Sequence, residues 1–333
     1  MANKTGIVII IIIVFGIALI ISIPALIIST TLSHYGIIDE SIPFYYNPGN
    51  SSFMESLNIN ADVGEIDVKY ITEPVDYSAK VEMDIEMLGL GLAGKTYLDY
   101  FNIVWQNTSS LVNLTIELKT GINYVEVLSL IKNVNIGVFL KADVSCDINI
   151  LVNLEGGVKI TVPSFHSIGN ILTNIMKGGI QYDFINCILK GNITGIIQDR
   201  GEIKIKSYNV EYSQTSMWSL YTNIGDILIE IDQNKAANAN ITGIITTITG
   251  NYLFIYRDNT DDVGAYFVLH VHPDDYAINQ KITEIIGFAY IVLPVNDTDV
   301  YHITSDDYPS QYNYNWLFNF PFGIYEELEL HNT

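Results

Sequence analysis

The sequence predicts an all-β fold, a β-solenoid with a β-sandwich as the alternative, set behind one N-terminal transmembrane helix. Three observations predict it. The run 7–28 is apolar and charge-free, most of the remaining chain alternates apolar and polar residues, and glycines recur every 22–25 residues from Gly157 to Gly250. Alternation at period two marks strands with one buried face.

Residues 1–6 are a short cytoplasmic N-terminus under this reading. Ile7 to Ile28 reads IVIIIIIVFGIALIISIPALII. At about 1.5 Å per residue this run is about 33 Å long, enough to cross a hydrocarbon core of about 30 Å. A helix satisfies its own backbone groups in lipid, so helix is expected despite the β-branched isoleucines. The run exceeds the apolar stretch of a secretory signal, and STTLSHYG after it offers no small-x-small cleavage site, so it reads as an uncleaved signal-anchor. A pilin-like leader cut near Gly6 is the other alternative. Lys4 precedes the run while His34, Asp39 and Glu40 follow it, which places the bulk of the chain outside the cell membrane. Residues 29–52, with Pro43, Pro48 and Tyr45-Tyr46, read as a stalk.

Residues 53–130 read as a β-rich domain, with a separate sandwich as one form of it. Leu57, Ile59, Ala61 and Val63 alternate with polar residues, as do Ile66, Val68 and Tyr70 after Gly64. Val81, Met83 and Ile85 repeat the pattern. GLGLAG at Gly89–Gly94 lacks the G-x-G-x-x-G frame and the P-loop Lys-Ser/Thr pair, and reads as a turn at a sheet edge.

Residues 131–275 carry the glycine punctuation. GVKITV starts at Gly157, GIQYDF at Gly179, GEIKIK at Gly201, GDILIEI at Gly225 and GNYLFIY at Gly250. Between them lie GNILTNI at Gly169, GNITGII at Gly191 and ANITGII at Ala239; the last two match at six of seven positions, 48 residues apart. One such coil cannot bury its own apolar face, whereas a stack of coils shares one core. Glycine suits the corners because it enters φ > 0 without a Cβ clash. This frame sends Ile203, Ile205, Ile227, Ile229 and Ile231 inward and Glu202, Lys204, Asp226 and Glu230 outward, with Leu228 the apolar exception.

Residues 276–333 read as a C-terminal cap. Its tail holds Tyr312, Tyr314, Trp316, Phe318, Phe320 and Phe322. These aromatics either cover the open edge of the last coil or, with Trp316, Phe318, Phe320 and Phe322 leading, form a contact strip for a partner or a bilayer interface.

Acidic residues total 37 against 16 basic ones, a formal net charge of −21, and Arg200 and Arg257 are the only arginines. That balance excludes a nucleic-acid partner, which needs a basic footprint. Cys146 and Cys187 are either one inter-layer disulfide or two buried thiols. Asn50, Asn107, Asn113, Asn192, Asn240 and Asn296 open Asn-x-Ser/Thr glycosylation triplets. Asp258, Asp261 and Asp262 in RDNTDD are a calcium candidate, although no twelve-residue calcium loop surrounds them. His270 and His272, two apart on one strand, are a zinc candidate. No other cofactor is indicated. Ser164 and Ser167 near His166 lack the context of a catalytic triad.

The steps Gly64-Glu65-Ile66, Gly201-Glu202-Ile203 and Gly225-Asp226-Ile227 resemble those of the adhesin-head-like β-solenoid domains of prokaryotic membrane-anchored surface proteins. The resemblance covers about Leu57 to Thr249. It implies a non-enzymatic role and offers no catalytic residues to carry over. The expectation is an acidic cell-surface structural or adhesive protein that presents a glycosylated rod outside the membrane. Its partners would be the bilayer through 7–28 and a surface glycan, a protein or its own copies. The alternatives are an extracellular carbohydrate-active enzyme on a solenoid and a self-assembling filament subunit. Scarce arginine with abundant isoleucine, asparagine and tyrosine points to an AT-rich, archaeal source.

Overall fold

Alternation in the sequence becomes register in the structure. The computed structural model describes residues 34–48, 54–108, 110–121, 123–233, 239–250, 252–258, 265–273, 289–292 and 300–305. In chain order the strands are β1 (Tyr35–Tyr46), β2 (Ser56–Val63), β3 (Glu65–Ile71), β4 (Ala79–Leu90), β5 (Phe101–Asn107), β6 (Leu111–Leu118) and, after helix α1 (Tyr124–Leu130), β7 (Ile131–Lys141). Next come β8 (Asp147–Glu155), β9 (Val158–Val162), β10 (Ser167–Ile168), β11 (Ile171–Lys177), β12 (Ile180–Ile185), β13 (Ile188–Leu189), β14 (Ile193–Arg200), β15 (Ile203–Tyr208) and β16 (Glu211–Tyr212). The last are β17 (Ser216–Ile224), β18 (Ile227–Gln233), β19 (Ala239–Thr249), β20 (Tyr252–Asp258), β21 (Ala265–Pro273), β22 (Ala289–Val292) and β23 (Val300–Ser305).

The all-β expectation holds. A first ten-stranded sheet runs β1-β4-β7-β3-β9-β12-β15-β18-β20-β22, and a second runs β23-β21-β19-β17-β14-β11-β8-β2-β6-β5. From β8 to β20 the chain alternates between them, and each strand pairs in parallel with the strand one circuit later. A small third sheet, β10-β13-β16, lies on the return path. Parallel pairing needs such crossovers, whereas the hairpins of an antiparallel sandwich would give antiparallel pairs. Residues 56–71 do not form a separate sandwich: β2 pairs with β8 and β3 with β9, in the same two sheets. Their rung sits out of sequence order, because β2 also pairs with β6 and β3 with β7.

The inward columns are apolar, as patterning requires. Ile66, Val158, Ile180, Ile203, Ile227 and Tyr252 stand in one register column and are all buried. Ile205, Ile229 and Ile231 are buried as the sequence frame expects, and Leu228 is half-buried on the outer side. Large residues in the core face small ones. Tyr182 of the first sheet reaches Gly195 of the second, where an added Cβ would lie 3.6 Å from the phenol oxygen. Trp218 is fully buried beside Gly243, where any Cβ would collide with the Trp218 backbone.

Two expectations are corrected, and the choice left open for the cysteines is decided. Within the supposed stalk 29–52, Tyr35–Tyr46 is a strand at the end of the first sheet's order; Pro43 is tolerated at an edge, where no ladder donor is needed. The glycine column is Gly64, Gly156, Gly178, Gly201, Gly225 and Gly250, so its early members precede Gly157 and Gly179 by one residue. Cys146 and Cys187 are free, buried thiols rather than a disulfide. The Gly169 N–H donates to the Cys146 carbonyl and Ile188 N–H to that of His166, so a full rung separates the two cysteines. Two rung spacings of about 4.8 Å exceed the Cα separation of about 7 Å that a disulfide spans. Burial pushes both thiols up to about 12.

The described residues form two compact units. The smaller draws its described residues from within Met1–Ser41, Asp84–Phe101 and Leu118–Val134, and the larger from within Ile42–Met83, Asn102–Glu117 and Asn135–Thr333. Among the described residues no helix is long and apolar enough to cross a membrane; the run 7–28 lies outside them.

Candidate functional site

Among the described residues, a surface groove lies on the outward face of the first sheet in the larger unit. Because side chains alternate, β9, β12, β15 and β18 send every second residue away from the core. Register then stacks them: Lys159, Gln181, Lys204 and Leu228 form one column, and Thr161, Asp183, Lys206 and Glu230 the next. A third column follows, of Ile185, Tyr208 and Asp232. Lys159 of the first column and all of the second and third columns line a groove of about 360 Å³.

Cations and anions interleave on this face. Lys159 Nζ lies 3.6 Å from Asp183, and Lys206 Nζ lies 3.8 Å from Glu230. Gln181 donates to Asp183 at 2.7 Å, and Lys204 pairs with Glu202 at 2.8 Å. Exposed pairs of this kind add little stability, about 0–1 kcal/mol each. Their chemical consequence is a row of hydrogen-bond donors and acceptors held at strand spacing. Ile185 and Tyr208, both about two-fifths exposed, add an apolar side to the groove.

The corner beside the third column is unusual. Phe165, Asn186 and Asn209 occupy it in successive rungs, all at positive φ (67°, 47° and 50°). Asn186 donates its amide to Ser164 Oγ at 3.2 Å, and Asn209 does the same to Asn186 Oδ1 at 3.3 Å. Asparagine tolerates this backbone region, but phenylalanine gains nothing there. Phe165 is nevertheless 92% exposed. The Phe165 N–H donates to the carbonyl of Asn186, the residue after Ile185, so an aromatic ring stands in solvent on a strained backbone at the corner where the third column ends.

The residues singled out by sequence fall elsewhere. His166 is buried, with Nδ1 2.7 Å from the Ser164 carbonyl and its ring edge-on to Tyr70 at 5.0 Å. It meets a carbonyl and not a serine hydroxyl, so no triad forms around it. His270 and His272 lie on β21 in register with Ile244 and Thr246. Val268, two places before His270, pairs with His302 of β23, a histidine that sequence reading left unconnected because it lies 32 positions after His270. Asp258 ends β20, while Asp261, Asp262 and the aromatic tail from Trp316 to Phe322 lie outside the described residues.

The glycosylation triplets divide by environment. Asn107, at the end of β5, is exposed. The Asn113 carboxamide accepts from Asn58 at 2.7 Å, in a ladder that continues from Asn149 to Asn58 at 2.7 Å. Asn192 is also engaged. Asp147 Oδ1 accepts the Asn170 N–H at 2.8 Å, Asn170 Oδ1 accepts the Asn192 N–H at 2.9 Å, and Asn192 Oδ1 accepts the Met217 N–H at 2.9 Å. Asn50, Asn240 and Asn296 have no described side chains.

No family model matches the chain, nor does the sequence of any curated protein. Two solved structures show a distant likeness. One is a "putative cell adhesion protein" from Clostridium sporogenes ATCC 15579, 11% identical, covering 76% of this chain and 98% of its own, at a TM-score of 0.36. The other is a "putative adhesin" from Parabacteroides merdae ATCC 43184, 11% identical, covering 81% and 96%, at a TM-score of 0.29. Both are too remote to transfer function.

Proposed function

We propose that this chain is a non-enzymatic adhesive protein of the cell surface, in which a β-solenoid presents the Lys159–Asp232 groove to a surface glycan. The apolar run 7–28 anchors it in the membrane, the bulk of the chain lies outside, and Asn107 carries any attached glycan. One observation supports the reading above others: a groove with interleaved lysines and carboxylates on one side and Ile185 and Tyr208 on the other, with the exposed Phe165 at the corner that follows. Saccharides are bound by that combination, since hydroxyls need paired donors and acceptors while the apolar face of a sugar ring stacks on an aromatic ring. The carboxylates Asp183 and Glu230 each face a lysine of a neighbouring rung, an arrangement suited to binding.

The test is a glycan-array screen of the full chain in detergent or nanodiscs, repeated with Lys206→Ala and Tyr208→Ala. Binding to a defined glycan class, reduced about tenfold or more by either substitution, is expected, since each removes one buried contact in a small interface. Equal binding by both variants would place the ligand elsewhere. Turnover of any bound glycan would replace adhesion with catalysis.

A further inference from the structure

The smaller unit carries an apolar surface that the proposed function does not use. Helix α1 buries only Val127, while Val125 is 78% exposed and Leu128 and Tyr124 are also in solvent. Positions 124, 125 and 128 lie within about 100° of one another around the helix, beside the edge that buries Val127. A helix packed on a soluble domain shows the reverse pattern, with its apolar stripe inward and its polar face outward. Elsewhere in the same unit Ile37 is 66% exposed, and Leu90 and Leu98 are each 53% exposed.

These segments are held together. The Gly91 N–H donates to the His34 carbonyl at 2.7 Å, joining the end of β4 to the start of β1. Gly89 leaves no room for a side chain beside Leu130, which closes the end of α1 onto β4. Lys119 N–H donates to the Tyr100 carbonyl at 2.8 Å, bringing the segment before α1 to the turn that carries Leu98.

The geometry points to a lipid bilayer as the occupant of this surface: the smaller unit beds on the membrane through Ile37, Leu90, Leu98, Val125 and Leu128. This rests on the reading of 7–28 as a membrane anchor. Seven residues lead from Ile28 to Tyr35, a reach of about 25 Å at full extension, so the unit is tethered close to the headgroups. Tyr35 and Tyr124, each nearly half exposed, suit the boundary between headgroup and acyl chain. The unit's described charges are Lys95, Lys119 and Lys132 against Asp39, Glu40, Asp84, Glu86, Asp99 and Glu126, so attraction to anionic lipid is not what seats it. Association is therefore apolar and insensitive to salt.

The full chain is reconstituted into phosphatidylcholine vesicles with a fluorophore on Val125→Cys, and in a parallel sample on Leu172→Cys of the larger unit. Both sites are exposed, so labelling leaves the core intact, and the native cysteines are buried. Lipid brominated near the headgroup is expected to quench the label at 125 several-fold, leave that at 172 unchanged, and do so equally at low and high salt. Vesicle-bound protein with both labels unquenched overturns the inference and leaves the anchor standing. Failure of the chain to float with vesicles overturns the anchor, and the inference with it. A label at 125 that is shielded from aqueous iodide in vesicles yet unquenched by brominated lipid overturns it differently, because a second copy or the C-terminal tail then covers the surface.

Discussion

The corner between the two large sheets and the corner that leads from the small sheet into the second meet the same demand in opposite ways. At one, the chain passes from the second sheet to the first through Gly64, Gly156, Gly178, Gly201, Gly225 and Gly250, each after Gly64 packed against the carbonyl of the glycine before it. There the rungs fit because side chains are absent. At the other, Asp147, Asn170 and Asn192 bond each rung to the next through their side chains. There the rungs fit because a short polar side chain is present. Rung spacing is fixed at about 4.8 Å by the sheets, so a corner has room for backbone alone or for one carboxamide bridging to the next amide.

The contrast can be broken most sharply at Gly178, which has φ 133° and would aim any Cβ at the Gly156 carbonyl. Gly178→Ala combines backbone strain with a clash against immovable main chain and should cost about 3 kcal/mol or more. Urea unfolding followed by circular dichroism measures it. A loss below about 1 kcal/mol would mean the column is not tightly stacked. At the opposite corner Asn170→Ala removes one acceptor and one donor but adds no clash, so about 1–2 kcal/mol is expected. Asn192→Gln deletes both a glycosylation triplet and a ladder rung, whereas Asn107→Gln deletes only a triplet. In protein from a host without N-glycosylation, the first should lower the melting temperature and the second leave it unchanged within about 0.5 kcal/mol.

Much of this was legible in the sequence, and the misses have causes. The alternation gave strand faces, so the inward isoleucines of β15 and β18 were identifiable before any coordinate. The periodic glycines revealed the corner but not its phase. Gly156-Gly157 and Gly178-Gly179 are doublets, and only the packing on Gly64 and Gly201 selects the first of each. The resemblance of GNITGII to ANITGII also misleads. Ile193 pairs with Trp218 and Trp218 with Gly243, so the second copy sits two residues out of step with the first. A shift of two keeps every side chain on its own face, which is why the core tolerates it. The insertion of β2–β3 between the β6–β7 and β8–β9 rungs was invisible, because rung order is a long-range choice that leaves local patterning unchanged. The groove escaped for the same reason: Lys159, Asp183, Lys206 and Glu230 lie 23 or 24 residues apart and become neighbours only through register.

A third corner offers the subtlest comparison, since it holds both kinds of residue. Asn186 and Asn209 fit a left-handed backbone, and Phe165 occupies the equivalent place one rung earlier. Phe165→Asn should therefore stabilise the fold by about 1 kcal/mol, through relief of the left-handed penalty and extension of the amide ladder toward Asn186. Chemical denaturation reads that gain. The same variant also tests why a strained, solvent-exposed ring is there. If the ring is a platform beside the groove, Phe165→Asn gains stability and loses glycan binding, whereas gained stability with unchanged binding would leave the ring without a part in recognition. Lost stability would mean that Phe165 is held by contacts that its exposure of 92% does not suggest.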